Sequence, residues 1–118
     1  MSAQGTGAPG TRLYNTTLSG EGLFRKITRV TAAYQVLVTD DQINCTAAAA
    51  MNVTLPPTPN DGDEYTVKDV GGTGATRNLT IVGNGHNIDG AATLVINTNY
   101  GKATVSYDAT AGVWAQTS

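Results

Sequence analysis

The side chains that usually carry catalysis or bind transition metals are scarce in this chain, which has one histidine, His86, and one cysteine, Cys45. Acid–base or nucleophilic chemistry needs a nucleophile beside a base, or two carboxylates held at a working separation. His86 lies within GNGHN at 83–87, a turn composition, with no second histidine and no thiolate cluster to complete a metal shell. One cysteine excludes an internal disulfide, and its neighbours mark Cys45 as a small buried apolar side chain.

The acidic groups Asp40 with Asp41, and Asp61, Asp63 and Glu64, offer oxygen ligands, but without the spacing of a calcium-binding loop. Turn-forming aspartates account for them. GGTGATR at 71–77 lacks the GK[ST] ending and the third glycine of the phosphate-cradling patterns, so a loop explains it. The Asn-x-Thr triplets at Asn15, Asn44, Asn52 and Asn78 reflect an Asn- and Thr-rich composition. Tyr34, Tyr65, Tyr100, Tyr107 and Trp114 either anchor a core or stack on the apolar face of a sugar. No cofactor and no metal are expected, and the chain reads as a non-enzyme.

The elements that must position these residues are short strands. At 118 residues the chain is long enough for one domain, and 14% charged residues do not make a disordered protein. YQVLVT at 34–39 is β-branched and aromatic, and Asp40 and Asp41 end it. Ile43–Thr46 is a brief run, AAAA at 47–50 a loop or a single helical turn, and NVTL at 52–55 a strand stopped by Pro56, Pro57 and Pro59. EYTVKDV at 64–70 alternates, with Tyr65, Val67 and Asp69 on one face and Glu64, Thr66, Lys68 and Val70 on the other. GGTGATRN at 71–78 is expected as a hairpin tip, with LTIV at 79–82 returning the chain. Thr93–Asn97, Ala103–Tyr107 and Val113–Thr117 are the last strands, the final two joined around DATAG at 108–112. No long helix is expected.

Residues 1–12, rich in Gly, Ala, Ser and Thr, read as extended, and Leu13–Val30 as an arm or first strand. Residues 1–33 carry four basic and one acidic side chain, net +3, and residues 34–118 three basic and eight acidic, net −5. A basic arm on an acidic body fits docking onto an acidic neighbour. Seven dispersed cations do not make a nucleic-acid site. No stretch approaches the roughly 20 apolar residues of a membrane span, and the first ten residues have no signal-like pattern, so no membrane partner and synthesis in the cytoplasm are expected.

Taken in order, the landmarks resemble a small β-module of tailed-bacteriophage fibre, head-fibre and capsid decoration proteins. The resemblance runs from Tyr34 to Trp114, about two thirds of the chain. It comprises Tyr34, Val36 and Leu37 followed by Asp40 and Ile43, then Leu55 and Pro56, then Gly62, Tyr65, Val67, Lys68 and Asp69. Ile81, Gly83 and Gly85 lead into Ile88, Asp89 and Gly90, and Tyr100, Val105, Tyr107, Asp108 and Trp114 close the set. The resemblance implies a trimerising β-domain carried on a virion, with no catalytic residues to transfer. Fibre proteins place such a module at the end of a longer chain; the 33 residues that precede it here are closer to a head fibre or cement protein.

The expected fold is therefore all-β, a compact antiparallel β-sandwich or barrel-like domain over 34–118, with an extended N-terminal arm over 1–33, assembled as a homotrimer. Sparse large apolar side chains and short strands with open edges agree with self-association. The expected partners are sister copies and the major capsid protein or another virion protein. The docking contact is expected through Arg12, Leu23, Phe24, Arg25, Lys26 and Arg29. The alternative is a tail fibre or spike module that stacks host-surface glycan on Tyr100, Tyr107 and Trp114.

Overall fold

The computed structural model describes residues 25–118, and all of the following concerns those residues. They form an all-β globule of nine strands without a helix: β1 Ile27–Val30, β2 Tyr34–Gln35, β3 Gln42–Cys45, β4 Met51–Thr54, β5 Glu64–Asp69, β6 Leu79–Val82, β7 Thr93–Ile96, β8 Lys102–Asp108 and β9 Val113–Gln116. Two mixed sheets face each other, one in the order β9-β8-β5-β3-β1 and one in the order β2-β4-β6-β7.

The path between them departs from the antiparallel sandwich expected above. From β1 to β6 the chain changes sheet at every step, so β1 with β2, β3 with β4 and β5 with β6 form successive turns of a flattened coil. Each turn stacks in parallel on the one before: β1 on β3, β3 on β5, β2 on β4 and β4 on β6. The three residues between β1 and β2 are too few for a parallel crossover within one sheet, so that corner must pass the chain to the opposite layer. Only the last third is antiparallel, with β7 on β6, β8 on β5, and β9 on β8. GGTGATRN consequently joins two sheets as a corner, not two paired strands as a hairpin tip. The alanines at 47–50 make a corner as well.

YQVLVT also behaves differently from its composition. Only Tyr34–Gln35 pairs as strand. The Leu37 N–H donates to Asp40 Oδ2 (2.9 Å) and the Asp40 N–H to the Leu37 carbonyl (2.9 Å), closing a turn that leaves Leu37 and Val38 exposed. A buried carboxylate demanding donors outweighs the β preference of four residues. At the N-terminal side, β1 bonds to β3, so the β-domain begins before residue 34.

The core lies between the sheets and follows the alternation of the strands. Val67 and Tyr65 point inward from β5, Ile43 and Cys45 from β3, and Val105 and Ala103 from β8, all buried. At the C-terminal end Trp114 packs with Tyr65 and Tyr107, ring centroids 5.8 and 5.2 Å apart, in the tilted geometry aromatic pairs favour. No helix among the described residues is long and apolar enough to cross a membrane.

Candidate functional site

Two aspartates are buried between the sheets, and both hold the backbone in place. Asp40 accepts hydrogen bonds from the Thr28 hydroxyl (2.6 Å), the Tyr34 hydroxyl (2.6 Å) and the Leu37 N–H, with Lys26 Nζ at 3.6 Å. It therefore ties β1, β2 and the turn at 37–40 into one coil. Burial alone would raise its pKa, but the donors from Thr28, Tyr34 and Leu37 and the Lys26 charge outweigh that, and the carboxyl is held below its ordinary value. The Tyr34 phenol is pushed up to about 12 by burial and by its bond to Asp40. Asp69, fully buried at the end of β5, accepts backbone N–H donors from Gly72 (3.1 Å), Gly74 (2.7 Å) and Tyr100 (3.0 Å), clamping the 71–74 corner to the loop before β8.

Four further aspartates accept from backbone N–H groups. Asp63 accepts from the Asn60 N–H, Asp61 from the Ala109 N–H, Asp89 from the Gln116 N–H, and Asp108 from the Thr110 and Ala111 N–H groups. Asp63 and Asp108 cap their own turns, as expected of turn aspartates, whereas Asp61 and Asp89 tie together segments far apart in the chain. His86 spans three segments, with Nδ1 at 3.3 Å from the Gly112 carbonyl and 3.4 Å from the Tyr107 hydroxyl, and Nε2 at 3.3 Å from the Pro57 carbonyl. No carboxylate orients it. Among the described residues there is no group of three or more His, Cys, Asp or Glu placed to hold a metal. Cys45 is buried, and its thiol is pushed up to about 12 by burial and by the Asp69 charge, far from the reactive thiolate range. An open cavity of about 400 Å³ lies between the corners at 31–33 and 48–50, walled mainly by alanine methyls.

Of the residues expected to dock a partner, Arg12, Leu23 and Phe24 lie outside the described residues. Arg25, Lys26 and Arg29 are exposed at the first turn of the coil, but they do not act alike. Lys26 pairs with Asp40. The Arg25 guanidinium donates to the Asp41 carbonyl (2.9 Å) and the Thr66 hydroxyl (3.3 Å), lying over the outer face of the five-stranded sheet. Arg29 projects from that same face.

The three aromatics of the glycan alternative are not gathered. Trp114 is fully buried and Tyr107 nearly so, whereas Tyr100 is 62% exposed at the opposite end of β8. Neither buried ring offers a face to a sugar. Tyr100 has φ +59°, a left-handed conformation unusual for an aromatic residue, and its neighbour Gly101 does not relieve it. Its ring covers Gly72, where a Cβ would collide with it, and Lys68 Nζ donates to its carbonyl.

One arrangement was invisible in the linear sequence. The strand registers place Arg29 beside Asn44, Asn44 beside Lys68, and Lys68 beside Lys102, a single lateral row across β1, β3, β5 and β8. Their inward-facing neighbours Cys45, Asp69 and Ala103 are buried, so the row lies on the outer face. Alternation in EYTVKDV placed Lys68 on the face opposite Tyr65, Val67 and Asp69, but only the pairing of non-adjacent strands brings it to Arg29 and Lys102.

No protein-family model matches the chain, and no curated protein matches it.

Proposed function

We propose that the chain is a structural protein of a bacteriophage virion, a capsid decoration or head-fibre protein that assembles as a homotrimer and is anchored to the capsid by its N-terminal region. The observation that supports an assembly role is the difference between the ends of the coil. At the C-terminal end the outer edge of β9 is covered by the chain itself, since Trp114 bonds through its N–H to the Asn87 carbonyl and through its carbonyl to the Asp89 N–H. At the N-terminal end β1 and β2 are the last strands of both sheets, and no described residue bonds to their outer edges. Edges that no described residue covers, beside the exposed Leu37 and Val38, are surfaces that soluble proteins normally cover. Among the described residues the commitment of nearly every acidic group to backbone N–H donors fits a scaffold better than a reaction centre.

The experiment is immunogold labelling of phage particles with antibody to this chain, together with sedimentation of the purified protein. Label on heads and a species of three 12.2 kDa chains are expected. Label confined to tail tips would replace capsid decoration with a fibre module, and a monomer at micromolar concentration would remove the trimer. A chain lacking residues 1–24 keeps β1 and is expected to fold and to lose capsid binding. Truncation at residue 33 would remove β1 and confuse folding with docking.

A second reading, recognition of host-surface glycan, now rests on Tyr100 alone, the one ring of the three that is exposed and held in a strained backbone. Binding on a glycan array that is lost with Tyr100→Ala and kept with Trp114→Phe would favour it.

A further inference from the structure

We propose that the outer face of the five-stranded sheet is a docking surface for an acidic patch on a folded protein, recognised by Arg29, Lys68 and Lys102 with Tyr100 at the edge. This deepens the virion reading by naming a surface and the chemistry of its partner, and it relies on that reading only for where the partner sits.

Concentration of charge is the first ground. Of the six cations in the described residues, Arg25, Arg29, Lys68 and Lys102 lie on this one face, although the body from residue 34 onward is net −5. Strands are spaced about 4.8 Å apart, so the row from Arg29 to Lys102 spans roughly 14 Å, the width of a local patch on a protein. The carboxylates on the same face, Glu64 on β5 and Asp108 on β8, sit at the far end of their strands. Among the described residues the one ion pair is Lys26 with Asp40, so no described carboxylate pairs with the row.

The second ground is cost. Lys68 and Lys102 stand directly opposite each other in an antiparallel pair, where like charges destabilise a sheet and threonine would be more favourable. Beside them Tyr100 is held with φ +59° by the Asp69 carboxylate and by Lys68. A repulsive pair next to a strained, exposed aromatic residue is what a stability-driven sequence removes and a binding surface retains. Arg and Tyr are also the residue types that dominate interface energetics.

Chemistry narrows the partner. The rest of the face is hydroxyl and amide: Thr66 bonds to Thr104 (2.9 Å) and Gln42 to Asn44 (2.8 Å). A long polyanion such as duplex nucleic acid would run from the row onto Glu64 and Asp108 and would need more clustered cations than are present. A compact cluster of Asp and Glu on a folded surface meets the row without reaching that acidic end.

The test uses the full chain and immobilised poly-L-glutamate as the acidic probe, with duplex DNA as the contrasting polyanion, at low ionic strength. Wild type is expected to bind poly-glutamate and to be released by moderate salt. The triple variant Arg29→Thr, Lys68→Thr, Lys102→Thr is expected to bind about tenfold more weakly, with an unchanged β-type circular dichroism spectrum. Should the triple variant fail to fold, Lys102→Glu alone carries the test, and Glu64→Gln is expected to leave binding intact or strengthen it. Unchanged retention of the Thr or Glu variants, or duplex DNA binding as strongly as poly-glutamate, overturns the proposal. Absence of the protein from heads and tails alike in the labelling experiment would defeat the virion reading and leave this result standing.

Discussion

The first turn of the coil and the C-terminal cap solve the same problem, holding two sheets together, by different means. In the cap, large side chains do it: Trp114, Tyr65 and Val105 are fully or almost fully buried and the aromatic rings interlock. In the first turn Ile27, Thr28, Val30 and Tyr34 are only half-buried, and Asp40 joins the strands through hydroxyl and amide donors. Apolar burial is non-directional and persists at any pH, whereas a buried carboxylate holds only while ionised and fully partnered. One end of the molecule is therefore stabilised by packing and the other by a titratable network.

The largest effect that separates the two ends is Trp114→Ala, expected to cost about 3–5 kcal/mol, as for other large-to-small core changes. Denaturant unfolding measures it, and a loss below about 1 kcal/mol would show that the cap is not held by packing. Next comes Asp69→Ala, which leaves three N–H donors, that of Gly74 buried and those of Gly72 and Tyr100 part-buried, without their acceptor and is expected to cost about 2–4 kcal/mol. Hydrogen exchange at Gly72, Gly74 and Tyr100 is expected to rise with it, and protection retained at those amides would show that the corner holds itself.

Acid tests the other end. Because the folded pKa of Asp40 lies below its ordinary 3.8, its contribution is present above that value and is lost as pH falls through the folded pKa. Hydrogen exchange below about pH 4 is expected to accelerate at 27–40 before it does at 102–116; simultaneous loss would erase the contrast. On the alkaline side Tyr34, Tyr65 and Cys45 are all raised to about 12, so stability is expected to fall from about pH 9–10 toward 12 at both ends together. The smallest effect is Tyr100→Gly, which relieves a left-handed aromatic residue and is expected to change stability by less than about 1 kcal/mol in either direction. A loss of several kcal/mol by thermal denaturation would make Tyr100 a structural residue, not a presented one.

Much of this was legible in the linear pattern, because strand alternation has a local cause. Alternation in EYTVKDV set Tyr65, Val67 and Asp69 on one face, all three of them buried in the fold, and the proline run after Leu55 ended β4 within one residue of expectation. YQVLVT misled because β propensity is local, whereas the acceptor that breaks the strand, Asp40, owes its influence to burial beneath β1 and β2. Tyr107 and Trp114 looked like members of one aromatic set with Tyr100, since sequence proximity does not tell which end of a strand faces the core.

Residue types and their period of two dictated an all-β chain, the positions of most strands, and turn roles for Asp63 and Asp108. They did so because both depend on neighbours within a few residues. Which strands lie side by side, whether they run parallel, and therefore which cations share a face depend on contacts between segments 15 to 40 residues apart, such as Arg29 with Asn44 and Lys68 with Lys102. Only the folded coil brings those segments together, so only the tertiary structure could turn three scattered basic residues into one surface.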